Sequence, residues 1–95
     1  MKKSVRAKGL NDLFMCPCCG YATLEAVADF EICDICFWED DGQDELELDC
    51  EIGGPNGVSL AEARGNFIEF GAAEKKDLEH TRLPNERDEQ LRSFR

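Results

Sequence analysis

The chain has 95 residues and a formal charge of −10, from 21 Asp and Glu against 11 Lys and Arg. Its 22 Leu, Ile, Val and Phe residues suffice for one small core, and domains of this size usually need a disulfide or metal staple. No apolar run approaches the roughly 18 residues of a membrane span, and the acidic balance disfavours nucleic acid, whose phosphates need a positive surface.

Residues 1–12 read as a basic flexible arm, with Lys2, Lys3, Arg6 and Lys8 and no carboxylate in the first ten positions. No apolar stretch of the kind found in secretory signals follows. A cytoplasmic location is expected, where thiols stay reduced, so the six cysteines point to metal rather than to disulfides.

Residues 13–83 read as a single metal-stapled domain. Short β-like runs at 13–15, 21–24 and 30–32 surround the cysteines, and no internal repeat is evident. Cys16, Cys19, Cys33 and Cys36 form a C-x2-C-x13-C-x2-C pattern and are the expected metal ligands. Two intervening residues let both sulfurs of a pair face one tetrahedral centre, with Zn–S about 2.3 Å. Pro17 fixes φ in the first turn, and Gly20 can take the positive φ that closes it. The stretch between the pairs is long enough for an antiparallel hairpin. Cys18 should point elsewhere, replacing Cys19 only in an irregular knuckle, and Cys50 reads as a buried thiol.

Four thiolates close the coordination sphere, whereas hydrolytic zinc keeps a position open for water. Structural zinc is therefore expected, with iron less favoured. The segment from Cys16 to Tyr21 resembles a rubredoxin knuckle, but Phe37 and Trp38 follow the second pair where a rubredoxin has glycine. No catalytic or other cofactor-binding residue stands out. His80 is the lone histidine, and the Gly-rich run at 53–57 lacks the Lys and Ser/Thr of a P-loop.

Residues 39–58 form an acidic loop, with eight carboxylates among the thirteen residues 39–51. It reads as a solvated stretch or as a docking surface for a cationic partner. A helix is predicted over 59–71. Ser59 and Glu62 make a capping box, Leu60, Ala63, Phe67 and Phe70 form one apolar stripe, and Gly71 suits a left-handed cap. Gly65 weakens the helix by about 1 kcal/mol relative to Ala, unless something approaches closely there. Residues 72–80 could form a second short helix stopped by Pro84, and 84–95 read as a charged tail. The expected fold is small α+β, with zinc-ribbon-like antiparallel β hairpins and one or two packed C-terminal helices.

Two stretches carry a family resemblance. Cys16-Pro17-Cys18-Cys19-Gly20-Tyr21 and Cys33-x-x-Cys36-Phe37-Trp38-Glu39-Asp40-Asp41 resemble the bacterial cysteine-rich CPCC family. Asn56 to Leu60, with Glu62-Ala63-Arg64, Asn66 and Phe70-Gly71, is similar to its second signature, so the likeness covers about residues 14–74. Asp34-Ile35 departs from the proline and small apolar residue expected there, and Cys50 lies outside the pattern. The resemblance implies a small bacterial domain and brings no reaction with it. It makes Arg64 a candidate partner for the acidic loop, against a plain exposed arginine.

A non-enzymatic zinc-binding interaction module is the function these features favour, with a basic protein as partner and no role at membranes. One alternative is an immunity- or antitoxin-like inhibitor of a basic enzyme such as a nuclease. The other is a rubredoxin-like iron electron carrier. The oligomeric state is not fixed by sequence.

Overall fold

The computed structural model describes residues 6–42 and 56–94. Most of the acidic loop, Cys50 and the glycines at 53 and 54 lie outside the described residues. The architecture is small α+β. Strands β1 (Phe14–Met15) and β2 (Ala22–Leu24) pair antiparallel, with Phe14 opposite Leu24 and Met15 opposite Ala22, and an irregularity between the two pairs. Single bridges widen this hairpin on both sides, from Lys8 to Phe14 and from Tyr21 to Gln90. The run at 30–32 contributes one bridge, Ile32 to Glu39. It is not a strand because Phe30 sits at φ 61, outside the β region.

Helix α1 (Leu60–Phe70) forms where the sequence places it. The Ser59 hydroxyl accepts the Glu62 N–H at 3.1 Å, and Gly71, at φ 94, donates its N–H to the Phe67 carbonyl. Leu60 and Ala63 are fully buried, while Phe67 packs on the core from its margin. After the buried Ala72 and Ala73, residues Lys75–His80 form a 3-10 helix rather than an α-helix. Its start has no side-chain cap, because the Glu74 carboxylate accepts from Gly57 N–H instead. The helix ends before Pro84: the Thr81 N–H and hydroxyl both donate to the Leu78 carbonyl.

The described parts of the basic arm, from Arg6, and of the charged tail, to Phe94, pack on the domain. In the N-terminal arm, Met15 N–H donates to the Ala7 carbonyl, and Arg6 is buried against Asp40 with Nη–Oδ distances of 3.2 Å. The charged tail lies along the first C-x-x-C turn. Ala22 donates to Glu89 O at 2.9 Å, and Leu91 donates to Gly20 O at 2.7 Å. The Phe94 ring lies under the Arg64 guanidinium at 3.7 Å. Arg6 satisfies the Met15 carbonyl and the Asp40 carboxylate. The core among the described residues consists of Cys16, Cys18, Cys19, Cys33 and Cys36 with Leu24, Ile35, Trp38, Leu60, Ala63 and Ala73.

Candidate metal centre

Two chain turns with one backbone plan build the centre. In the first, Gly20 N–H donates to Cys16 O and Cys16 N–H to Tyr21 O, at 2.9 and 2.8 Å. In the second, Phe37 N–H donates to Cys33 O and Cys33 N–H to Trp38 O, at 2.7 and 2.9 Å. The closing residues, Gly20 and Phe37, both take positive φ, 82° and 67°. The turns are therefore a structural repeat. It escaped the sequence reading because only the cysteines and a following aromatic recur. Phe37 accepts a left-handed backbone at a cost of about 1–2 kcal/mol, and its ring stacks on His80 with centroids 4.9 Å apart.

The turns bring the sulfurs of Cys16, Cys19, Cys33 and Cys36 within 4.8 Å of one another, all buried. Cys16 lies 3.6 Å from Cys36, and Cys19 lies 3.8 Å from Cys33. A tetrahedral ion at about 2.3 Å from each sulfur spaces its ligands about 3.8 Å apart, so the cage has the size and donor set of a tetrathiolate site. None of the described cysteines is in a disulfide. Burial pushes the Cys16 and Cys36 thiols well above the usual range. Cys33 is held well below it by hydrogen bonds from Cys16, Cys19 and Cys36. The Thr23 hydroxyl adds a further bond to the Cys33 sulfur at 3.1 Å. Four thiolates in this buried space call for a cation to balance them. The four cysteines are positioned to bind a metal ion.

Cys18 is fully buried beside the cage but outside the group of four. Arg64 is not a plain exposed arginine. It is buried, and its Nε donates to the Pro17 carbonyl at 2.7 Å, fastening α1 to the first turn. His80 serves the second turn through its stack on Phe37.

Sequence reasoning missed the support behind the second turn. Trp38 is wholly buried in the cysteine core, with its indole N–H lacking an acceptor among the described residues. Asp40, also wholly buried, takes both Arg6 arms and accepts N–H bonds from Ala28 and Gly42. The Asn56 amide clamps Glu39, donating to its carbonyl at 2.9 Å and accepting its N–H at 3.1 Å. The Trp38-Glu39-Asp40 run was visible as a motif, yet nothing local marks Asp40 as buried, because its partner lies 34 positions away.

No helix among the described residues is long and apolar enough to cross a membrane. No curated protein and no solved structure matches the chain. A family model described as cysteine-rich CPCC matches residues 14–88, reaching past the second signature to the Asp88 that Arg82 grips. Since that match takes in both C-x-x-C turns, helix α1 and the 3-10 helix, the chain belongs to the cysteine-rich CPCC family.

Proposed function

We propose that the protein is a small non-enzymatic interaction module stapled by one structural zinc ion on Cys16, Cys19, Cys33 and Cys36. The observation that carries this reading is the closed cage of four buried sulfurs. Four protein ligands fill a tetrahedral sphere and leave no place for the water or substrate that catalytic zinc requires. The surplus of carboxylates then serves as a docking field for a basic protein. Inhibition of a basic enzyme such as a nuclease is a narrower form of the same role. Reduced thiols fit a cytoplasmic setting.

Zinc analysis of the purified chain should give one equivalent per molecule. Chelation, or Cys33→Ser, should abolish the helical circular dichroism signal, because binding energy here is largely folding energy. A chain that keeps its signal without metal rejects the proposal.

Iron electron transfer is the second reading, and the matched turns favour it. Phe37, whose side chain sets the second turn apart from a rubredoxin knuckle in sequence, takes a positive φ as Gly20 does. Visible absorbance in oxygen-exposed protein would select iron, and a colourless protein with bound zinc would select the first reading.

A further inference from the structure

The loop between the two turns places apolar side chains in solvent. Val27, Phe30 and Ile32 are 40%, 58% and 44% exposed. A small chain with few large apolar residues gains most by burying a phenylalanine, and here the backbone is organised to hold it out. Ala28 and Phe30 both take positive φ, 59° and 61°, which favours glycine or asparagine.

The loop is fixed in that shape by hydrogen bonds from a buried centre. Ala28 N–H donates to Asp40 Oδ2 at 2.9 Å, and Phe30 N–H donates to the Asp40 carbonyl at 2.9 Å. Asp40 N–H in turn donates to the Glu31 carbonyl, and the Glu31 carboxylate accepts from Glu25 and Ala26. Backbone strain kept in place by surrounding structure is a mark of functional segments.

Charge identifies the class of occupant. Residues 25–42 hold seven carboxylates and no Lys or Arg, and of these Asp34 and Asp40 are matched by arginines from elsewhere in the described chain, Arg82 and Arg6. Glu25 and Asp29, beside the apolar side chains, are exposed. A second copy of this chain would bring the same negative field and be repelled, as would nucleic acid or an anionic membrane. We infer that Val27, Phe30 and Ile32 form the apolar anchor of a docking surface for a basic protein segment, one carrying an apolar side chain between lysines or arginines. This rests on the interaction-module reading and gives it an address.

The test titrates isotope-labelled, zinc-loaded full-length protein with a synthetic peptide of alternating Lys and Leu, and separately with its Glu–Leu counterpart. The Lys–Leu peptide should shift the amides of residues 25–32, and its binding should weaken steeply as salt rises. Phe30→Asn keeps the net charge and suits the left-handed backbone. It should lower affinity about tenfold while zinc content and circular dichroism stay unchanged. Ile32→Ser should act in the same direction. Undiminished binding by Phe30→Asn, or shifts that avoid residues 25–32, overturns the docking surface but leaves the module reading standing. Equal binding of the Glu–Leu peptide overturns the basic-partner assignment. Failure of the Lys–Leu peptide to bind overturns the surface and the acidic-docking reading together. Reversible dimerisation lost in Phe30→Asn would assign the anchor to a second copy and overturn the proposal.

Discussion

At the fifth position of each C-x-x-C turn the backbone enters the left-handed region, and the two residues found there answer to different neighbours. A Cβ on Gly20 would lie 1.8 Å from the Arg92 carbonyl oxygen, which belongs to the backbone and cannot swing aside. The C-terminal segment lies directly on this glycine. Phe37 has room for a side chain and uses it to stack on His80. Gly20→Ala should therefore lift the tail from the first turn and cost about 2–5 kcal/mol, the sum of overpacking and left-handed strain. Phe37→Gly exchanges a stack of about 0.5–1.5 kcal/mol for relief of about 1–2 kcal/mol of strain. It should leave stability within about 1 kcal/mol of the parent. Urea unfolding of both variants in excess zinc separates the two cases.

Helix α1 was legible because its signals are local: a capping pair, an apolar stripe and a terminal glycine all fall within 59–71. The C-x-x-C turns were legible for the same reason, since ligand spacing is a property of four consecutive residues. The segments outside those signals were not. Arg6 reaches Asp40, Leu91 reaches Gly20, and Arg64 reaches Phe94. Such pairings have no period, and their charged members look like solvated surface until the chain is folded. The run at 30–32 failed as a strand because the bonds to Asp40 hold Phe30 in a conformation that its β propensity opposes. Gly65 posed the reverse question, whether a close neighbour required it. None does: a Cβ there meets nothing within 4 Å, and the position is exposed. Gly65→Ala should stabilise the metal-loaded protein by about 0.5–1 kcal/mol through helix propensity and a less free unfolded chain. That is a rise of a few degrees in the thermal midpoint, read at fixed excess zinc because metal itself shifts the midpoint.

At the scale of the whole molecule, the described segments nearest the two termini brace the two turns that the metal would join. Arg6 joins the N-terminal segment to Asp40 behind the second turn, a buried pair whose disruption at one partner typically costs about 3–5 kcal/mol. Arg82 performs the matching task for the C-terminal half. Its backbone N–H donates to the Asp34 carbonyl at 3.1 Å and its Nε to the Asp34 carboxylate at 3.0 Å, while Nη1 and Nη2 grip Asp88 at 2.7 and 2.8 Å. Hydrogen bonding to Arg82 holds the Asp88 carboxyl below its ordinary range. An unfolded chain therefore binds this proton more readily than the folded one. The contribution is complete above the unfolded value of about 3.9 and is lost as pH falls through the lower folded value. Acid also protonates the cysteines and weakens metal binding, so the midpoint of the parent alone mixes both effects. Asp88→Asn separates them, because its cage loses metal on the same schedule. The parent should be the more stable protein by a constant margin from pH 7 down to about 4, and the margin should shrink below that. Urea midpoints at matched pH read it directly, and a margin that persists unchanged at pH 2 would mean that Asp88 acts through packing rather than through its charge.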